Sequence, residues 1–473
     1  MARFTGFVLF AEMRTGSNAL EESINLYDGL TCHGELFNPA FMGHQGQKSL
    51  FGLDMAARER DPFALLDAMF GSGGLSGFRF FHDHDARILE RILPEPKIAK
   101  ILLSRDPLEA FVSRKIAETT GQWKLTDARD RKRARIHFDP AEYEEVVAHQ
   151  DTFRAAVRRA LQVSGQVAFE IDHAEINDVE VLNGLARFLG SDTRLDRLRI
   201  KLKRQNPEPL SEKVLNPDAL QSVGKHRQGT AAPDEPARGA NVRTWVAGTS
   251  APLLFMPLKG GPTDRIEAWL SALQGMPAGE GLHRDMSQAA VRKWKNQNKD
   301  GRSFTVVSHP VTRAHNVFCR YLLGTAPGAF LSIRDTLRTR YGVPLPEEEP
   351  GAAWTASAHH AAFLGFLEFA KANNAGQTSV RTDPAWSSQA ALLAGVSQIL
   401  PPDRIVRDHQ SEADLPAWAA ALGLPKEDMP AHVPFGPVAL AEIYDDAIED
   451  AVRKLHNRDF VAFGYRKWSP RPP

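Results

Sequence analysis

Six apolar residues in succession, GFVLFA at 6–11, carry no amphipathic period and are too few for a buried helix, so they read as a strand covered on both faces. EMRTGSN follows at once, and then ALEESINLYDGL, in which Leu20, Ile24 and Tyr27 recur at helical spacing. A strand buried on both faces needs a helical layer above and below it, which restricts the chain to an α/β architecture. The alternation continues further on. KIAKILLS at 97–104 reads as a second such strand, followed by RDP and the helical LEAFVSRKIAETTG. VAFEI at 167–171 reads as a third, after the helical TFRAAVRRALQVSG. The expected fold class is therefore α/β, a P-loop-like parallel sheet flanked by helices, with two such units in tandem.

The second unit is read after residues 224–242, GKHRQGTAAPDEPARGANV, which are rich in Gly, Ala and Pro and have no apolar period. Beyond them the pattern restarts, with APLLFMPLKGG at 251–261 as strand and turn and TDRIEAWLSAL as helix. RSFTVVSHP at 302–310 is strand and turn again, followed by VTRAHNVFCRYLL as helix, and AHHAAFLGFLEFAKA at 358–372 is helical. The expected boundaries are a first domain at 1–223, a linker at 224–248 and a second domain at 249–473. A chain of 473 residues has room for two or three cores.

Charge and cysteine content exclude several classes of function. Lys and Arg number 58 and Asp and Glu 58, so the chain lacks the excess positive charge of a nucleic-acid binder, although a local basic pocket is compatible with it. The two cysteines, Cys32 and Cys319, make neither a disulfide framework nor a cysteine-based zinc site. No apolar run reaches the ~18 residues of a membrane span. In MARFTGFVLFAEMR an acid and an arginine follow the apolar stretch, where a signal peptide would have small residues, so the expected location is the cytoplasm.

The turn after the first strand, Arg14-Thr15-Gly16-Ser17-Asn18, has the makings of an anion cradle. N–H groups at a helix N-terminus and the helix dipole both favour negative charge. Gly16 permits close approach, Ser17 and Asn18 add side-chain hydrogen bonds, and Arg14 adds a fixed charge. Taken alone, the same turn is a simple N-cap by Ser17 or Asn18. It lacks the Lys-Ser/Thr pair that holds magnesium in nucleotide triphosphatases. A second signal is Ser104-Arg105-Asp106-Pro107, with Ser113 about two helical turns beyond Arg105. Arg105 and Ser113 can grip one phosphate from two sides, or else form a surface ion pair and a solvated serine.

Taken together these motifs resemble the sulfotransferase superfamily, in particular its bacterial carbohydrate branch, which takes in the trehalose and nodulation-factor enzymes. The residues that carry the resemblance are AEMRTGSNALEESIN at 11–25, CHGELFNP at 32–39, SRDPLEAFVSRKIAETTGQW at 104–123 and LKRQNPEPLSEKVLN at 202–216, within the first 220 residues. Asn18 stands where many relatives have Thr. The resemblance implies a sulfuryl donor, 3′-phosphoadenosine-5′-phosphosulfate (PAPS), leaving adenosine 3′,5′-bisphosphate as product. It implies that Arg14, Thr15, Gly16, Ser17 and Asn18 hold the 5′-phosphosulfate, that Arg105 and Ser113 hold the 3′-phosphate, and that Glu35 is the catalytic base. Arg14 is the second catalytic residue, stabilising charge on the leaving phosphate without a metal. The implied acceptor is a hydroxyl of a carbohydrate or glycolipid, and a homodimer is compatible with the pattern.

Other residues keep two readings each. His33 is an alternative base or a structural histidine. HDHD at 82–85 invites a metal, but alternating ligands on a short segment cannot face one point, and Asp83 or Asp85 suits a helix cap. The segment also suits the wall of an acceptor pocket. Trp123 stacks on a ligand or sits in the core. Lys203 or Arg204 supplies cations to phosphate or forms a solvated turn.

In the second half, PLLFMPLKGGPTDRI resembles the cofactor loop of another sulfotransferase branch, with Leu258, Lys259 and Pro262 at altered positions. SHPVTRAHNVFCRYLL resembles its phosphate segment, with Ser308 for the arginine and Asn316 for the serine. RDFVAFGY at 458–465 is like that branch's C-terminal signature. A proline in the cradle also removes an N–H donor. The expectation is a degenerate sulfotransferase-like domain serving packing, dimerisation or acceptor recognition. The competing classes are a non-catalytic nucleotide- or glycan-binding protein of the same fold and a P-loop kinase.

Overall fold

The computed structural model describes residues 4–123, 132–198, 208–220, 223, 245–397, 400–433 and 435–470. It divides into two compact units, residues 1–232 with 375–381, and residues 233–374 with 382–473.

The first unit is built on five strands, β1 (Gly6–Phe10), β2 (Leu30–Cys32), β5 (Leu75–Phe80), β6 (Ile98–Ser104) and β7 (Ala168–Asp172). They form one sheet in the order β2-β5-β1-β6-β7, and every neighbouring pair is parallel. A small hairpin, β3 (Ser49–Leu50) with β4 (Leu53–Asp54), stands apart from the sheet. The helices are α1 (Ser17–Ile24), α2 (Met55–Arg60), α3 (Pro62–Phe70), α4 (Ala86–Ile92), α5 (Pro107–Thr120), α6 (Pro140–Ser164), α7 (Val179–Leu189) and α8 (Leu210–Lys213).

All five residues of β1 are buried, and successive side chains enter opposite cores. Phe7 and Leu9 pack with Leu20, Ile24, Leu182 and Phe188 of α1 and α7. Val8 and Phe10 pack with Leu65, Ile88 and Val157 of α3, α4 and α6. This is why the run shows no polar alternation. Gly77 of β5 lies opposite Phe7, and a Cβ there would stand 2.4 Å from the Phe7 ring. Helix starts follow the sequence signals: Pro107 opens α5, and Asp106 accepts the N–H of Glu109. Asp85 caps α4 by accepting the N–H of Arg87, one of the two caps read from HDHD.

The second unit has its own five-stranded sheet, β8 (Trp245–Gly248), β9 (Leu253–Phe255), β10 (Leu282–Met286), β11 (Arg302–Val307) and β12 (Arg404–Arg407), in the order β10-β8-β9-β11-β12. Here the expectation of a parallel sheet needs correction. β9, β11 and β12 are parallel, but β8 runs antiparallel to both β9 and β10. Residues 249–252 between β8 and β9 leave room for a hairpin and none for a crossover. β8 also takes up Trp245–Gly248, the end of the expected linker, because WVAG is wholly buried. The rest of that linker, 224–244, lies outside the described residues. Among the described residues no helix is long and apolar enough to cross a membrane.

Candidate active site

Because the five strands of the first sheet are parallel, all their carboxyl ends fall on one edge. The strand order turns at β1, which sits between β5 and β6, and the crevice outside such a point is where open α/β sheets bind ligands. A cavity of about 970 Å³ lies there. The segment after every strand contributes to its wall: Met13–Ala19 (without Thr15) after β1, Glu35 and Asn38–Phe41 after β2, Phe81 and Asp83 after β5, Arg105 and Asp106 after β6, and Asp172–Asn177 (without Glu175) after β7.

The turn after β1 holds two left-handed residues, Arg14 at φ 68° and Gly16 at φ 98°. Gly16 is obligatory for a second reason, since a Cβ there would meet Nδ1 of His173 at 2.7 Å. His173 Nδ1 in turn lies 2.8 Å from the Thr15 carbonyl, tying the turn to the end of β7. Gly16 is the N-cap of α1 and carries no side-chain cap, so the simple Ser or Asn cap is not what the turn forms. The first N–H groups of a helix lack the usual i−4 acceptor, and the residues that open α1, Gly16, Ser17, Asn18 and Ala19, line the cavity.

Arg14 and Arg105 face the same space. Arg14 donates from Nε to Oγ of Ser113 at 3.1 Å and from Nη1 to the carbonyl of Trp123 at 2.8 Å. Arg105 donates from Nη1 to the carbonyl of Arg14 at 2.7 Å and from Nη2 to Glu109 at 3.0 Å, while among the described residues its buried Nε has no acceptor. Burial, and after it the charge of Arg105, pulls Arg14 down to about 10. An anion in the cavity relieves both penalties. Thr15 behaves differently. Its hydroxyl donates to the carbonyl of Glu12 at 2.7 Å, it is buried, and its side chain is turned into the loop rather than the cavity.

Glu35 lines the same cavity. Glu35 is fixed by a backbone bridge to Gly43, its N–H donating to that carbonyl at 2.7 Å. Its carboxylate accepts from Asn38 Nδ2 at 2.8 Å and stands 3.2 Å from Arg79 Nη1 and 3.7 Å from His84 Nε2. Burial raises its pKa, but the nearness of His84, the charge of Arg79 and the hydrogen bond from Asn38 together hold it below the usual glutamate range. Arg79 is itself 2% exposed, pairs with Glu21 at 2.8 Å and donates to Ser17 Oγ at 3.1 Å. Glu21 also meets His44 Nε2 at 2.8 Å.

Arg79, Glu21 and His44 escaped the sequence reading. The signal for Arg79 was an arginine inside the otherwise apolar strand LSGFRF, and the signal for Glu21 was an acid on the buried face of α1. The HDHD residues part company. His82 pairs with Glu12 at 2.7 Å, Asp83 lines the cavity, His84 turns to Glu35 and Asp85 caps α4. His33 lies 3.2 Å from Ser76 Oγ and against the Phe51 ring, and it is not among the cavity-lining residues. Trp123 lines the cavity and gives its carbonyl to Arg14. Lys203 and Arg204 lie outside the described residues.

In the second unit the corresponding turn is committed to its own chain. Lys259 Nζ bonds Asp383 at 2.9 Å and stands 4.5 Å over the Phe330 ring, and Pro262 caps the helix Thr263–Ala272 without a side-chain bond. Ser308 donates its N–H to Gln389 and its hydroxyl to Asp408, at 2.9 and 3.2 Å. Arg313 is buried and spends its guanidinium on the carbonyls of Lys259, Pro384 and Ser387. Asn316 lies in the helix Pro310–Val317.

No protein-family profile matches the chain, and no curated protein matches it. Among solved structures it is similar to the crystal structure of a sulfotransferase from Alicyclobacillus acidocaldarius, at 18% identity and a TM-score of 0.29, over 49% of this chain and 97% of that one. The architecture described above rests on the strand order and the cavity, independently of that likeness.

Proposed function

We propose that the first unit transfers a sulfuryl group from PAPS to a hydroxyl of a carbohydrate or glycolipid acceptor. The observation that carries the reading is that Arg14, Gly16, Ser17, Asn18, Arg105, Ser113 and Glu35, from separate stretches of the chain, line one cavity at the sheet's carboxyl edge. The residues fit the donor: among the described residues Arg105 Nε, buried in the wall, has no acceptor, and Gly16, Ser17, Asn18 and Ala19 bring the N-terminus of α1 to the cavity. PAPS, when bound, supplies a sulfuryl group activated by its phosphate leaving group.

The chain's own residues have separable tasks. Arg14 and the N-terminus of α1 meet the charge that grows on the leaving phosphate. Arg105 and Ser113 hold the second phosphate and so fix the nucleotide's direction in the cavity. Glu35 accepts the proton of the attacking hydroxyl. Its depressed pKa keeps it ionised at neutral pH and makes it a modest base, so its work is to hold the hydroxyl and take the proton late. Thr15 contributes through the shape of the loop. The second unit is read as a degenerate relative serving packing, dimerisation or acceptor recognition.

The multiple commitments of Glu35 to Arg79, Asn38 and His84 favour one other reading, a protein that binds the nucleotide without turning it over. Transfer of labelled sulfate from PAPS to fractionated cell-envelope glycans, with mass spectrometry of the product, separates the two. A labelled glycan that disappears with Glu35→Gln supports transfer; nucleotide binding with no labelled product in any fraction supports binding alone.

A further inference from the structure

The second unit contains a cluster that the candidate active site does not use. The helix Pro310–Val317 runs directly into a π-helical turn, Phe318–Leu323, so His315 and Cys319 fall four residues apart on one face. His359, on the helix Ala356–Asn374, meets them. The Nε2 atoms of His315 and His359 are 3.0 Å apart, and Cys319 Sγ lies 3.6 Å from the first and 3.8 Å from the second. Among the described residues this is the group of histidine, cysteine and acidic side chains whose donor atoms converge closely enough for one ion. Ligands at about 2.0–2.1 Å (nitrogen) and about 2.3 Å (sulfur) from one shared ion, the bond lengths known for zinc, stand roughly 3.3–3.6 Å (N to N) and 3.5–3.8 Å (N to S) apart between tetrahedral and trigonal angles, so the present spacing suits one ion after a small opening of the two rings.

The surroundings are built for the cluster. His315 and His359 are buried, at 3% and 0% exposed. The Phe363 ring packs edge-on to His315 at 5.4 Å and the Phe318 ring edge-on to His359 at 5.3 Å. Gly436, at φ 86°, crosses over the sulfur, where a Cβ would stand 2.5 Å from Sγ. π-helical turns such as the one carrying Cys319 are often retained at functional sites.

We propose that His315, Cys319 and His359 form a binding site for one copper(I) ion. Charge decides the ion. Two neutral imidazoles, one thiolate and a monovalent cation sum to zero, the state that an apolar aromatic shell accepts, whereas a divalent ion leaves a buried positive charge. Thiolate is also a ligand that selects soft ions, copper(I) among them, and imidazole accepts copper. On loading, Cys319 gives its thiol proton to solvent and its sulfur pair to the metal. His359 must also change tautomer. Trp354 Nε1–H donates to His359 Nδ1 at 3.1 Å, which leaves the ring proton on Nε2, the atom that faces His315. That proton moves to Nδ1, the lone pair on Nε2 goes to the ion, and the bond from Trp354 is broken.

Trp354 is therefore a brake on the site, and this supplies a test that a merely structural histidine pair does not mimic. The full chain is titrated anaerobically with copper(I) in the presence of a competing chromophoric chelator. One equivalent is expected, with Cys319→Ser weakening it about 100-fold or more and Cys32→Ser leaving it unchanged. Trp354→Phe is expected to tighten it by about 2- to 12-fold, the value of the hydrogen bond removed. The Trp354→Phe result stands even if Cys319→Ser does not fold. Affinity that Cys319→Ser and Trp354→Phe both leave unmoved overturns the proposal. So does a site that takes zinc in preference to copper(I).

Discussion

Nη1 of Arg79 stands 3.2 Å from Oε1 of Glu35, and the same guanidinium reaches Glu21 at 2.8 Å. One buried cation thus joins the helix after β1 to the segment after β2, and it sets the orientation of the carboxylate proposed as base. Arg79→Met removes the charge and leaves two buried carboxylates facing each other; breaking such a buried pair costs about 3–5 kcal/mol. The transition of the first unit in a thermal melt is expected to fall sharply. Arg79→Lys is expected to recover stability in part but not turnover, because an ammonium cannot hold two carboxylates in the planar fork of an arginine. A Lys variant with full activity would remove Arg79 from the site's positioning.

Glu35→Gln retains the shape of the side chain and its bond from Asn38 while removing its basicity. Turnover is expected to drop roughly 10²–10⁴-fold with little change in nucleotide affinity. The wild-type rate should stay flat through neutral pH and decline only below the usual glutamate range, because Glu35 is held under it. An acid limb near neutrality would instead point to a histidine such as His82.

Binding of adenosine 3′,5′-bisphosphate should weaken by about 1.5–3 kcal/mol in Arg105→Ala, the worth of a hydrogen bond to a charged group. Ser113→Ala should weaken it as well, since it removes one hydroxyl donor and also loosens Arg14 from its 3.1 Å contact. Calorimetry reads both. Unchanged affinity in the two variants would remove them from the phosphate site.

The same calorimetry on the full chain reads stoichiometry. One nucleotide per chain is expected, since Lys259, Ser308 and Arg313 of the second unit are committed to Asp383, Gln389 with Asp408, and backbone carbonyls. Two equivalent sites would show the second unit to be intact after all.

His82 and Glu12 give the fold a pH signature. The hydrogen bond to Glu12 raises His82 above its ordinary value, against the effect of burial. A histidine whose folded pKa exceeds its unfolded one, near 6.5, stabilises fully below about pH 6.5 and loses that contribution as pH rises through the folded value. Glu12→Gln should therefore lower the melting temperature most at about pH 5.5–6 and progressively less above pH 7. A deficit constant from about pH 5 to 9 would show that the loss is packing alone.

What the sequence disclosed and what it withheld divide along physical lines. β1, β6 and β7 were legible because strands covered on both faces are unbroken apolar runs, and α5 because Pro107 and Asp106 mark its start. β2 was not, being three residues long and edge-placed, and β8 hid its four buried residues at the end of a stretch read as linker. The turn between β1 and α1 was legible because a glycine between strand and helix is a local pattern. Arg79 with Glu35 and Glu21 was not, because the contact joins segments separated in sequence and the burial that makes it matter belongs to the folded sheet. The grouping of His315, Cys319 and His359 was hidden for the same reason: one helix supplies two of its members, and the third comes from 40 residues past the cysteine.

Residues 375–381 belong to the first unit although the chain reaches them from within the second. There the N–H of Glu170, on the edge strand β7, donates to the carbonyl of Gly376 at 2.9 Å, and Gln377 donates to Glu175 at 3.0 Å. Order of synthesis follows from this. The N-terminal unit cannot close its last edge until the ribosome has passed residue 381 of 473, so its completion waits on most of the other unit being made. A cut anywhere between 232 and 375 yields an N-terminal piece with an exposed sheet edge and a C-terminal piece carrying a strip of someone else's fold. A deletion that removes residues 233–381 as one block therefore takes a piece of the first unit with it.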